Sequence, residues 1–216
     1  MGIRERKERE RGRRKQQITV AAKRIFLERG FDKATMEDIA KEAELSSGTL
    51  YLYFKNKHEL YASITLKVLQ FLNMRLAHIK AEKADLSPEE KLEVLKEVLL
   101  DSYDFDPMAL TNLFHLQSRE ILKKLSPEFI KEIKEITKQI IDEIADIFEE
   151  GIEKGVFIKK HPVAFAQIII SVFSGIILWE EGKGTGDDES NYVKPTIELV
   201  FEILYRGLLK EKRIAI

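Results

Sequence analysis

Apolar residues recur at three- and four-residue spacing along most of the chain, a period that predicts helices from end to end. Ile18, Ala21, Ala22, Ile25 and Phe26 share one face of a first helix over about residues 15–29. Gly30 follows as its C-terminal stop, and Phe31 re-enters the core. Thr35 with Asp38 is a capping-box pattern that opens a short second helix ending near residue 42 or 43. Ser46 opens a third, ending near Phe54, and Asn56 with Glu59 opens a longer fourth that runs to about residue 79 or 80. Ser87-Pro88-Glu89-Glu90 joins a cap, a first-turn proline and a box glutamate, and Asp106-Pro107 and Ser126-Pro127 repeat the cap-plus-proline start. Over residues 126–151, Phe129, Ile133, Ile136, Ile140, Ile144 and Ile147 form one stripe opposite Lys and Glu. His161-Pro162 starts a helix that is apolar nearly all round, with 13 apolar residues in the 17 of 163–179. Residues 182–188 read as a glycine-rich loop, and a last helix spans about 192–209. No run alternates with period two long enough for a strand, so the fold expected is all-α with about nine helices.

Composition adds a division of charge. The 216 residues are 44% apolar and 34% charged with a net charge of −1. Residues 1–60 carry 15 Lys/Arg against 10 Asp/Glu, and residues 61–216 carry 21 against 27. The excess sits at the front, where residues 4–15 hold eight basic and three acidic side chains. A basic head on an acidic body suits an anionic partner at one end, and a solvated tail accounts for the same charges. The chain has no cysteine, which removes disulfides, thiol catalysis and cysteine-ligated metals and suits a reducing compartment, so a cytoplasmic location is expected. The start of the chain is charged where a secretory signal needs apolar residues. Residues 163–179 fall short of the ~20 that span a bilayer and read as a buried helix, so no membrane association is expected.

The second and third helices, joined by Glu42-Ala43-Glu44-Leu45, have helix-turn-helix spacing. The third begins with small residues, Ser46, Ser47, Gly48 and Thr49, so its start can approach base edges and phosphate. Leu50 and Phe54 turn inward as core, Tyr51 and Tyr53 turn outward, and Lys57 follows as a phosphate contact. In Ala22-x-x-x-Phe26-x-x-x-Gly30-Phe31, Thr35-Met36-Glu37-Asp38-Ile39-Ala40 and Gly48-Thr49-Leu50-Tyr51-x-Tyr53-Phe54-x-Asn56-Lys57-x-x-Leu60, the chain resembles the TetR family of bacterial transcription regulators. The resemblance covers about residues 12–72, with caps, core positions and exposed tyrosines in one register. It implies that Thr35, Ser46, Ser47, Gly48, Thr49, Tyr51, Tyr53 and Lys57 fall where family members contact DNA. Ser47 departs from the pattern, standing where many members carry a larger or charged residue. The division expected is a basic arm over 1–15, a three-helix DNA-binding domain over 16–60 and a helical ligand-binding and dimerisation domain over 61–216.

Enzyme chemistry finds little support. His58, His78, His115 and His161 are scattered without Glu-x-x-His or zincin spacing, no Gly-x-Ser-x-Gly elbow occurs, and Gly182-x-Gly184-x-Gly186 lacks the final glycine of a dinucleotide loop. No metal or cofactor is expected. The resemblance implies a small effector for the larger domain. Phe71, Tyr103, Phe105, Met108 and Phe114 offer a greasy lining, and His115 and Arg119 share a helix face as a cationic pair, with Gln117 pointing elsewhere. That lining suits an apolar or amphipathic ligand such as an acyl or aromatic carboxylate or thioester. An ordinary helical core explains the same residues. Gln167, Ser171 and Gly175 make a small-residue seam, and Ile197, Val200, Phe201, Leu204 and Leu208 a stripe, through which two chains would form a four-helix dimer interface. The reading is a homodimeric repressor released from palindromic double-stranded operator DNA by its effector. The alternative is an all-α small-molecule or lipid-binding protein without DNA binding, against which the pattern over residues 46–57 argues.

Overall fold

The computed structural model describes residues 2–82, 85–107, 109–111, 122–183 and 191–209, and among them eight helices are named here. They are α1 (Ile3–Lys33), α2 (Met36–Glu42), α3 (Ser47–Tyr51), α4 (Lys57–Glu82), α5 (Pro88–Phe105), α6 (Pro127–Glu153), α7 (Pro162–Gly182) and α8 (Val193–Leu208). Residues 107 and 109–111 are helical as well. The fold is all-α. Among the described residues the one extended pairing is an isolated antiparallel bridge between Phe157 and Leu209. The chain divides into two compact units, Met1–Lys67 with Asn112–Ile130, and Val68–Thr111 with Lys131–Ile216.

In the first unit α1 packs on α2 and α2 on α3. The expected face of α1 is buried, with Ile18 and Ala22 at 0% exposure, and it meets Ile39, Ala40 and Leu50 in one core. Gly30 has φ 76°, a left-handed value that glycine adopts without strain, so the helical path breaks there. Phe31 then turns back onto Phe26 and Tyr61, with ring centroids 5.5 Å and 4.6 Å away. The start of α1 differs from the expected residue 15. It extends back to Ile3 because Arg, Lys, Glu and Gln are strong helix formers, and Glu8 pairs with Arg4 one turn earlier at 3.2 Å.

In the second unit α8 packs on α5 and α7. The stripe of α6 is real, burying Ile136, Ile140, Ile144 and Ile147. After α6 the chain turns at Gly155, φ 75°, and folds Phe157 back to full burial beside Phe148. A Cβ built on Gly151 would lie 2.1 Å from the Phe157 ring, so only glycine lets the ring lie against the helix backbone. Ile158 N–H then donates to the Leu208 carbonyl at 2.8 Å, closing the bridge at the end of α8.

Helix α7 corrects the expectation of a short, buried segment. It is 21 residues long because it continues through Glu180 and Glu181, and by length and composition alone it could cross a membrane. Only 28% of its most apolar window is buried within the chain. Most of the expected 182–188 loop lies outside the described residues.

Candidate nucleic-acid interface

Thr35 caps α2 with its whole hydroxyl. Its Oγ1 accepts from Asp38 N–H at 3.1 Å and donates to Asp38 Oδ2 at 2.7 Å, while Thr35 N–H donates to the same carboxylate at 3.2 Å. The Thr35 hydroxyl bond, helped by the Thr35 N–H and by Arg29 at 2.7 Å, holds the Asp38 carboxyl below its ordinary pKa. At the other end of α2 a Schellman turn redirects the chain. Leu45 N–H donates to the Ala40 carbonyl at 2.8 Å and Glu44 N–H to that of Lys41 at 3.0 Å, with Glu44 at a left-handed φ of 54°. Gln17 of α1 donates to the Ala43 carbonyl at 2.8 Å, fastening this turn to the first helix.

The turn presents α3. Ser46 Oγ accepts from Thr49 N–H at 3.1 Å and bonds Thr49 Oγ1 at 2.8 Å, so the two hydroxyls that open the helix are already paired. Leu50 at 0% and Phe54 at 3% exposure anchor its inner side. The helix is shorter than expected. It ends at Tyr51, and a turn follows in which Tyr53 and Phe54 N–H both reach the Leu50 carbonyl. Tyr51 is exposed, but Tyr53, expected to point outward, is half-buried because that turn rotates it toward the domain. Ser46 and Gly48 are exposed, and Ser47 and Thr49 half-buried.

Among the described residues nothing requires position 48 to be glycine. Its φ is not left-handed, and a Cβ there would find only Ser46 Oγ at 3.9 Å. Glycine inside a helix costs about 0.5–1 kcal/mol relative to alanine. A bare backbone at an exposed helix start is what close approach by an external surface requires. Beside it lies Leu52 at 77% exposure, which the sequence reading passed over. Its position two residues from both Leu50 and Phe54 placed it on the opposite face from the core and was the available signal.

Lys57 takes a different role from the exposed phosphate contact expected. Its ammonium donates to the carbonyls of Phe31, Asp32 and Ala34 at 2.5, 3.1 and 2.9 Å and lies 4.5 Å from the Phe31 ring centroid. It clamps the end of α1 to the start of α4. The exposed cations flanking the motif are instead Lys33 and Lys55. Asn56 caps α4 by accepting from Glu59 N–H at 2.8 Å, and Asn56 Nδ2 donates to the Lys124 carbonyl at 2.9 Å. His58 Nε2 lies 3.2 Å from Lys124 Nζ. Desolvation, then Lys124 and Lys57, hold the imidazole below its ordinary pKa.

Of the expected effector residues, Met108, Phe114, His115 and Arg119, with Gln117, lie outside the described residues. Phe71 and Phe105 do come together, stacked with ring centroids 4.4 Å apart and planes 5° apart. The Tyr103 hydroxyl accepts from Asn191 at 2.7 Å. Among the described residues no group of three or more His, Asp or Glu could hold a metal ion.

The expected interface separates into two sets. Gln167, Ser171 and Gly175 are exposed along α7, beside Ile168 at 46% and Trp179 at 73% exposure. On α8, however, Ile197, Phe201 and Leu208 are buried within the chain, at 4% exposure or less, so they belong to its own core. The outward stripe is Leu199 at 54% and Ile203 at 60%, with Val200 and Leu204 half-buried between the two faces. Apolar residues occupy both sides of α8, so spacing alone did not separate them.

Residues 18–64 match the family model of bacterial regulatory proteins, tetR family. The chain is 32% identical over 140 residues to the fatty acid metabolism regulator protein of Bacillus subtilis, covering 64% of this chain and 68% of that one. The fold is similar to that of the fatty acid degradation regulator FadR from Bacillus halodurans, with a TM-score of 0.70 at 23% identity over 90% of this chain and 95% of that one. It is also similar to the transcriptional regulator FadR from Bacillus subtilis in complex with stearoyl-CoA, with a TM-score of 0.67 at 24% identity over 89% and 98% of the two chains.

Proposed function

The chain belongs to the tetR family of bacterial regulatory proteins and is a helix-turn-helix, DNA-binding regulator, and from that premise we propose that it is a homodimeric repressor released from its operator by a long-chain acyl thioester. The observation that carries the DNA-contacting part is the outer surface of α3. There Ser46, Gly48 and Tyr51 are exposed and Ser47 and Thr49 partly so, on a helix anchored from behind by Leu50 and Phe54. These residues, with Thr35 at the α2 cap, make the groove contacts, and Lys57 holds the scaffold under them.

Two copies joined through the outward faces of α7 and α8 would cover Ile168, Trp179, Leu199 and Ile203. They would also present two α3 helices to a palindromic operator. The effector class is supported by the fatty acid regulators among the relatives and by the acyl thioester in one of the similar structures. The stacked Phe71 and Phe105 supply apolar surface for such a ligand. Release follows from a population shift, in which the liganded state favours a spacing of the two heads that no longer fits successive major grooves.

The test is a mobility shift on the duplex recovered from a random library by this protein, followed by titration with stearoyl-CoA, lauroyl-CoA and free CoA. The long-chain thioesters are expected to dissolve the complex while free CoA leaves it intact. Equal behaviour of all three rejects the acyl effector.

A further inference from the structure

The start of α4 is tied to residues 122–126 through Asn56 and His58, and both ties meet Lys124. Asn56 Nδ2 donates to the Lys124 carbonyl at 2.9 Å, and His58 Nε2 lies 3.2 Å from the Lys124 ammonium. All three residues belong to the first unit. The Asn56 tie does not depend on pH. The His58 tie does, because an ammonium can only donate, so Nε2 must accept and the ring must be neutral with its proton on Nδ1. A proton on Nε2 turns the acceptor into a donor and sets one cation against another.

The surroundings of the ring offer that second proton no counter-charge. Desolvation, then Lys124 and Lys57, all favour the neutral imidazole, so among the described residues both charged groups acting on it are cations. Lys124 comes from the 122–126 segment and Lys57 from the ring's own helix. From α1 the imidazole meets the Phe31 ring, tilted by 71° with centroids 5.2 Å apart, and the Lys57 ammonium already lies 4.5 Å from that ring's centroid. Glu59, the next residue on α4, is buried and accepts from the Lys55 N–H at 2.8 Å. The same stretch of α4 carries the Lys57 clamp on the carbonyls of Phe31, Asp32 and Ala34. A disturbance at His58 therefore reaches the end of α1, on which the helix-turn-helix is packed.

We infer that His58 is a positioning residue of the DNA-binding unit, whose neutral ring docks residues 122–126 on the start of α4, so that its protonation undocks them and weakens operator binding in acid. The sign follows from the ring's depressed affinity for protons. The tie is fully present above the ordinary imidazole value of about 6.5 and is lost as the pH falls through the lower folded value. The inference rests on the DNA-binding reading above, and its test separates the two.

The experiment measures the affinity of the full chain for the library-selected duplex from about pH 7.5 down to about pH 5.5, the range in which imidazoles titrate, together with the melting temperature without DNA. Wild-type affinity is expected to fall by about fivefold, the scale of a like-charge contact at a half-exposed site. His58→Gln keeps an acceptor for Lys124 but does not titrate, so it binds like the wild type at the upper pH and loses less than about twofold at the lower. His58→Lys carries the charge throughout and binds weakly at both. The wild-type melting temperature falls further over the range than that of His58→Gln. Equal pH dependence of wild type and His58→Gln overturns the inference and leaves the DNA-binding reading standing. A difference in melting without one in affinity overturns it as well, because the docking then has no bearing on DNA. Wild-type affinity that rises in acid, and does not rise in His58→Gln, also overturns it, since the ring is then a phosphate contact. Recovery of no duplex by the wild type removes both.

Discussion

The two units manage their exposed surfaces in opposite ways. In the first, the ends of α2 are closed by Thr35, Asp38 and the Schellman turn, α3 is capped by Ser46, and the apolar residues left outside, Leu27 and Leu52 foremost, are single side chains in different segments. In the second, α7 has no side-chain cap at His161 and leaves Ile168 and Trp179 in solvent, and α8 leaves Leu199 and Ile203. Local hydrogen bonds complete the first unit as a single chain. The second leaves apolar area uncovered among the described residues, and in the proposed dimer a copy of the chain would bury it. The contrast is what the proposed function draws on in giving one face to DNA and the other to a copy of the chain.

The largest expected effect breaks the second half of that comparison. Trp179→Glu or Ile203→Glu places a charge in the proposed dimer face and is expected to raise the dimer dissociation constant by about 30-fold or more, equivalent to ~2 kcal/mol or above. Sedimentation velocity at micromolar concentration would then show monomer where the wild type shows dimer. Ile197→Ala, on the buried side of the same helix, lowers the melting temperature instead and leaves the oligomeric state alone.

Next is Gly151→Ala, which drives a methyl into the Phe157 ring and is expected to cost about 2 kcal/mol. Adding Phe157→Ala makes room for that methyl. Denaturant unfolding should therefore show the double variant losing less than the sum of the two single losses.

Lys57→Met tests whether the first unit is complete by itself. Three carbonyls lose a charged donor, and an expected loss of about 2 kcal/mol would appear as a lower unfolding midpoint without DNA present. A variant that folds as stably as the wild type but binds DNA less would return Lys57 to the phosphate role.

The smallest effect is the most diagnostic. Gly48→Ala fits the chain's own structure, so it should stabilise the free protein by about 0.5–1 kcal/mol while weakening binding to the selected duplex. Stabilisation with unchanged DNA affinity would mean that nothing approaches the helix closely at that point.

What the sequence determined was what neighbours along the chain decide. Thr35 with Asp38, the cap at Ser46 and Ser87 with Glu90 act over three or four residues and appear in the structure, and Gly30 breaks α1 although helix resumes beyond it to Lys33. The α6 stripe was equally legible, because Lys and Glu opposite the isoleucines leave one way to bury it. The tertiary structure decided the remainder, where residue type fits two environments. Lys57 reads as a surface cation until Phe31, Asp32 and Ala34 bring three carbonyls to its ammonium across more than twenty residues of chain. On α8, Ile197, Val200, Phe201, Leu204 and Leu208 read as one outward stripe until packing on α5 and α7 turns Ile197, Phe201 and Leu208 inward and leaves Leu199 and Ile203 outside. Spacing assigns a residue to a helix face, but which face meets the core depends on contacts distant in sequence.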